Sequence, residues 1–261
     1  MKNIYCLLIV SFLCIFSLLP AGAQTLSEKD FQVLNMNDGL SDNDIHSVAK
    51  DTEGFMWFGT GSGLNRYDGR TFKVFRMPGI SYRRIDRVVS LDTDYLLLRS
   101  EQNLFLFDKK YERFLPVCDS VSKQPVMFAD FVADSDGSCW GVSSGELSEV
   151  NFPSSFVQDT AFVSVRHVVN NSQSDPFVVL CMGEDGKMLY CASRNGTVYR
   201  FTPGQRQLKK VCDGQLSSGR WVSSLLNDDS FIWIPTVGDG LYGYDLTNGK
   251  LHHWQYISER M

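Results

Sequence analysis

The 261 residues carry 25 Lys and Arg against 30 Asp and Glu, a net charge of -5, so the chain lacks the basic balance a nucleic-acid partner demands. With 43% hydrophobic and 13% aromatic residues, the roughly 240 positions beyond the N-terminal leader are enough to bury a core. The cysteines left after the leader, Cys118, Cys139, Cys181, Cys191 and Cys212, are odd in number and cannot all pair within the chain.

The first element is a leader. Lys2 supplies positive charge, Ile4 to Leu19 is an apolar run, and Pro20-Ala21-Gly22-Ala23 ends in a small-residue cleavage site. This pattern predicts a secretory signal peptide over residues 1–23, cut before Gln24. The run is short for a membrane span of ~20 residues. Residues 24–261 are then an exported segment.

Next, Phe31 to Met36 reads as an isolated strand. Ile45 to Lys50 alternates apolar and polar residues, the period of a half-buried strand. Asp51-Thr52-Glu53-Gly54 is a turn, and Phe55 to Thr60 is an aromatic-rich strand. Gly61-Ser62-Gly63 turns again into Leu64 to Tyr67, and Asp68-Gly69 is a hairpin signal leading to Phe72 to Phe75.

This strand–turn pattern recurs. With Trp57 as marker, Leu97, Trp140, Tyr190 and Trp233 follow at intervals of 40, 43, 50 and 43 residues. Six residues before the markers stand Asp51, Leu91, Asp134, Glu184 and Asn227. Seven after the first three stand Leu64, Leu104 and Leu147, with Val198 and Leu241 taking that place if one residue is inserted in the last two copies. Four antiparallel strands every 40–50 residues make a propeller blade. The predicted fold is all-β, a β-propeller of about five four-stranded blades, with repeats near 45–76, 85–115, 127–157, 176–212 and 221–256. Of the markers, Trp57, Trp140 and Trp233 are read as core residues in the wedges between blades. The fifth copy already owns a fourth strand, so the strand at Phe31 is left over: either it is a simple edge extension or, the favoured expectation, at least one further blade follows Met261.

Chemistry-bearing residues are sparse. His46, His167, His252 and His253 form no ligand set, because neighbours on a strand face opposite ways. Neither a catalytic residue set, a metal site nor a cofactor is expected. Cys181 and Cys191 flank a turn at Gly183 to Gly186 and are not expected to pair, and the Lys109-Lys110 pair reads as a solvated turn. Ligand binding belongs to the loops. In a blade, the loop between strands two and three and the loop into the next blade lie at one end. That end would carry Asn43, Asp44, Ser62, Arg83, Arg84, Trp221 and Asp239. Arginine and exposed tryptophan suit a sugar acid or a sugar ring.

Asp38-Gly39-Leu40-Ser41-Asp42-Asn43-Asp44-Ile45, Asp51 to Thr60 and Gly63-Leu64-Asn65-Arg66-Tyr67-Asp68-Gly69 resemble the two-component regulator propeller repeat. The chain is similar to the N-terminal sensor region of hybrid two-component systems of Bacteroides-type bacteria. The first copy follows the pattern over about 30 residues, the fifth fairly, and copies two to four weakly, Leu97 replacing the usual tryptophan. The resemblance implies two seven-bladed propellers in the periplasm, of which this chain is an incomplete part. A small all-β domain, a span anchoring the protein in the inner membrane, a histidine kinase and a DNA-binding response regulator would follow. It also implies a response to carbohydrate breakdown products. The expected partners are an oligosaccharide, the remaining blades and kinase regions of a longer sensor, and a second copy of the chain. The kinase would lie outside this segment, which is itself no enzyme. The rival readings are a free-standing secreted propeller lectin and a polysaccharide-acting lyase.

Overall fold

The computed structural model describes residues 32–79, 84–92, 94–133, 139–153, 156, 159–170, 175–183, 186–214, 216, 220–228 and 230–255. The leader, Arg83, Asp134 and Glu184 lie outside them. The chain divides into two units, Met1–Leu34 and Asn35–Met261, and the fold belongs to the second.

Its strands fall into five groups. The first is β1 (Ile45–Lys50), β2 (Met56–Thr60), β3 (Gly63–Tyr67) and β4 (Phe72–Phe75); the second is β5 (Arg87–Ser90), β6 (Tyr95–Ser100), β7 (Asn103–Asp108) and β8 (Arg113–Asp119). The third is β9 (Asp130–Ala133), β10 (Cys139–Ser143), β11 (Glu146–Asn151) and β12 (Ala161–Asn170); the fourth is β13 (Phe177–Met182), β14 (Leu189–Ser193), β15 (Val198–Thr202) and β16 (Gln207–Cys212). The fifth has its inner edge in two pieces, β17 (Trp221–Val222) and β18 (Leu226–Asn227), both paired with β19 (Phe231–Val237), followed by β20 (Leu241–Asp245) and β21 (Leu251–Trp254). Neighbours in sequence are neighbours in each sheet, all antiparallel, as in propeller blades.

Turn chemistry sets these strands. Asp51 Oδ1 accepts from the amides of Glu53 and Phe55, and Oδ2 accepts from the Trp57 indole at 2.8 Å. At the other hairpin, Asp68 accepts from the amides of Arg70 and Thr71. Asp245 repeats that role in the fifth blade, taking the Thr247 and Asn248 amides.

Apolar side chains then fill the wedges between blades. In β6, Leu96 and Leu98 join Trp57, Leu64, Ile85 and Phe107 between the first two blades, while Leu97 turns the other way to Leu104, Leu115, Phe131 and Cys139. Strand alternation buries both faces, because each inner blade is sandwiched between two others. Trp140 packs with Phe177, Leu189 and Phe201 between blades three and four, and Tyr190 with Val222, Ile232 and Tyr242 between blades four and five. Four markers are thus nearly inaccessible. Trp233 departs from the expectation: it is half-buried, stacked on Phe231 at 4.9 Å and beside Trp254 at 5.5 Å. No described blade packs on its outer side, so its wedge is open.

Three further expectations are corrected. The isolated strand is absent from Gln32 to Met36. Instead Asn35 caps a 3-10 turn at Met36–Asp38, its amide donating to Asp38 at 2.8 Å and its side chain accepting from Asn37, so local Asx chemistry overrides the apolar alternation. The third repeat does not end at 157, and its outer strand is β12, at 161–170. Before β12, Phe156 meets the Tyr95 ring of blade two edge-on at 5.3 Å. The second repeat likewise runs to Asp119, and Ala161–Val163 pair in parallel with Val117–Asp119, joining blades two and three into one eight-stranded sheet. Finally, the counterpart of Asp51 in the fifth copy is Asp228, not Asn227: Asp228 takes the Ser230 and Phe231 amides and the Trp233 indole at 2.6 Å. That turn is one residue shorter.

Lys109 is no solvated turn residue. Its side chain is 7% exposed, and the ammonium lies 3.6 Å from the Asp51 carboxylate of the preceding blade. The five cysteines are free, and burial pushes the Cys181 thiol up to about 12 and the Cys212 thiol to about 11.

Candidate functional site

The loops between second and third strands and the segments leading into first strands lie at one end of the sheets. At the first blade this end is organised by Asp42, which sequence reasoning did not reach. Its Oδ1 accepts from the Asp44 amide at 3.0 Å and its Oδ2 from the Ser62 hydroxyl at 3.0 Å. These bonds, the Asp44 amide first, hold the Asp42 carboxyl below its usual value. Asp44 is exposed, with its carboxylate 3.2 Å from His46 Nε2, and Asn43 Oδ1 takes the Met36 amide at 3.0 Å. Asn43, Asp44 and Ser62 are therefore brought together, their polar groups largely engaged by the loop itself. Below them, buried Asn65 accepts from the Ser41 amide and donates to its hydroxyl, which is 2.9 Å from Thr60 Oγ1. This fastens the segment entering β1 to the β2–β3 turn.

The other candidates stand apart from that group. Arg84 is exposed and bound through Nε to Asp86 at 2.5 Å. Arg83 is outside the described residues. Asp239 is not a free rim carboxylate. It is 8% exposed, accepts from Arg220 at 2.5 Å and from the Tyr242 hydroxyl at 2.9 Å, and its carbonyl lies 2.6 Å from His253 Nε2. His253 stacks flat on Tyr242 at 3.9 Å, whereas His252 turns to the other side, against Phe231 and Trp254. The charge of Asp239 is absorbed in holding β17, β20 and β21 together. Burial, then Asp239, pushes the Tyr242 phenol up.

Trp221 differs. It begins β17, remains 43% exposed, and walls a hollow of about 230 Å³ with Pro176, Val178, Val222 and Arg194. Arg194 is exposed in the β14–β15 turn, with its amide bonded to the Pro176 carbonyl. Its position was legible: it occupies in the fourth copy the loop that holds Ser62 in the first. An aromatic face beside a guanidinium can stack on an apolar ring face while pairing with a carboxylate. Among the described residues no group of His, Cys, Asp and Glu is arranged to hold a metal.

Residues 39–62 match the family model described as two component regulator propeller. One copy of the two-component regulator propeller repeat is thereby matched, at these residues. The matched span covers Ser41, Asp42, Asp51, Trp57 and Thr60, the residues that build the turn, wedge and fastening described above. Histidine kinase P4 of Formosa agariphila is 37% identical over 78 residues, which is 29% of this chain and 5% of that protein. The crystal structure of the extracellular domain of the hybrid two component system BT3049 from B. thetaiotaomicron superimposes with a TM-score of 0.61 at 18% identity, over 85% of this chain and 31% of that one. The β-propeller domain of Cps50 (Swd1) from Myceliophteria thermophila gives 0.57 at 14% identity, over 80% of this chain and 72% of that one. The fold around the regulator-propeller repeat is a β-propeller, and the chain spans about a third of the extracellular domain it matches. Among the described residues no helix is long and apolar enough to cross a membrane.

Proposed function

We propose that this chain is the ligand-sensing propeller segment of a two-component regulator, exported to the periplasm and responding to carbohydrate. The observation that carries the reading is the regulator-propeller repeat at 39–62, with its side chains in structural use. The expected leader at residues 1–23 supports export. The Trp221–Arg194 hollow supports a ring-shaped, carboxylate-bearing sugar as ligand. The reading assigns no catalysis to these residues; phosphotransfer would belong to kinase regions of a longer sensor, and further blades or a second copy would be the propeller's protein partners.

The test is the size and place of the native product, probed with an antibody against residues 24–261. A product far above 29.5 kDa in the membrane fraction is expected. A soluble periplasmic product just below that mass would overturn the sensor reading in favour of a free-standing lectin or lyase. For the ligand, digalacturonate is titrated into the protein. Trp221→Ala and Arg194→Ala should each weaken binding at least about tenfold, as loss of a charge-assisted bond does; unchanged affinity in both would remove the hollow from the proposal.

A further inference from the structure

A second cleft lies at the same end of the sheets, between blades two and three, where sequence reasoning placed no candidate. It encloses about 320 Å³, within the range of small-molecule sites. Asp119, the last residue of β8, and Gln124, from the segment after it, form one wall. Glu146, Ser148 and His167, from the facing ends of β11 and β12, form the other, and exposed Met127 lines it as an apolar surface. The two walls belong to one eight-stranded sheet, because β8 pairs in parallel with β12 at their base. Ser120 adds a bond from its amide to the Val163 carbonyl at 2.7 Å. The cleft is therefore preformed.

Its polar groups are held in place. His167 Nδ1 lies 2.9 Å from the Ser148 hydroxyl and 3.2 Å from Glu146 Oε2, while Glu146 Oε1 accepts from Asn170 at 3.2 Å. Serine and glutamate meet the same ring nitrogen, so the histidine cannot relay a proton from one to the other as a nucleophilic set requires. The amide and hydroxyl of Ser122 both donate to Asp119 Oδ2, at 2.7 and 2.8 Å, and keep its carboxyl below the usual value. The lining holds two carboxylates and no lysine or arginine. Nearby Lys123 lies over the Phe162 ring, 4.6 Å from its centre.

We propose that this cleft binds a polyhydroxylated ring of monosaccharide size that bears an amine. Gln124, exposed Ser144 and the carboxylates offer donors and acceptors for hydroxyl groups, exposed Met127 gives the apolar side of such a ligand a surface, and two carboxylates with no lysine or arginine in the lining favour positive charge over negative. The inference stands apart from the Trp221 hollow, whose arginine selects the opposite charge.

The test is titration of the protein with glucosamine, glucose and glucuronate at neutral pH and low salt, followed by calorimetry. Saturable glucosamine binding is expected, with glucose weaker by about fivefold, the worth of a partly exposed ion pair, and glucuronate weaker still. Glu146→Gln, at a side chain 39% exposed, should bring glucosamine down to the glucose level without altering the melting temperature. Trp221→Ala should leave all three affinities unchanged. The proposal is overturned by absence of saturable glucosamine binding, by glucuronate binding as tightly as glucosamine, or by an amine preference that survives in the Glu146→Gln/Asp119→Asn double variant.

Discussion

The Trp57 indole donates to Asp51 Oδ2 at 2.8 Å, and both side chains are nearly inaccessible to solvent. One carboxylate thereby closes the β1–β2 turn, orients the wedge-filling tryptophan and pairs with Lys109 of the next blade. Asp51→Ala would leave two amides and the indole without their acceptor and take the nearest counter-charge from a buried ammonium, which keeps the Asp92 carbonyl at 3.4 Å and Glu53 at 4.0 Å. The expected loss is about 3 kcal/mol, the usual cost of removing one partner from a buried charged pair. Denaturant unfolding measures it, and Lys109→Met in the same background should recover part of the loss. No recovery would mean that the ion pair across the blades contributes nothing.

Trp57 and Trp233 hold the same place in the repeat but different environments. Trp57→Ala should cost roughly 3–5 kcal/mol, as truncation of a fully buried aromatic does. Trp233→Ala should cost less, about 1–2 kcal/mol, because its outer side is open and less apolar area leaves water on folding. Equal midpoint shifts in urea would contradict the open wedge.

The turn aspartates make an acid-labile set. Asp228 is held below the ordinary carboxylate value of about 3.8, first by the Trp233 indole and then by the Phe231 and Ser230 amides; Asp42, Asp68 and Asp245 are lowered in the same direction by backbone amides and hydroxyls. Where the folded value is depressed, the unfolded chain binds protons first on acidification. The contribution is therefore complete above about 3.8 and is lost as pH falls through the lower folded values. Stability against urea should drop steeply below pH 4, and Asp228→Asn should flatten part of that slope while lowering stability at neutral pH. A slope identical to the parent's would show that Asp228 titrates alike in both states.

The blade pattern was legible because it is local. The turn at Asp51, the hairpin at Asp68 and the period-two strand beside them act within a few residues, so Trp57, Leu97, Trp140 and Tyr190 could be aligned as second-strand markers and placed in wedges. The same locality misled where a short polar signal outweighed an apolar one, as at Asn35, and where a turn lost one residue, as at Asp228.

Sequence by itself determined the repeat, the all-β class and the order of strands within each blade, since these follow from residues adjacent along the chain. Tertiary structure alone decided what charges and openings remain. Asp239 was spent on Arg220 and Tyr242, Trp221 acquired Arg194 as a neighbour, and the parallel pairing of β12 with β8 shaped a cleft. Asp239–Tyr242 apart, those pairings join residues 19 to 44 positions apart, and no spacing rule links them; they exist because sandwiched blades bring distant loops to one end of the sheets.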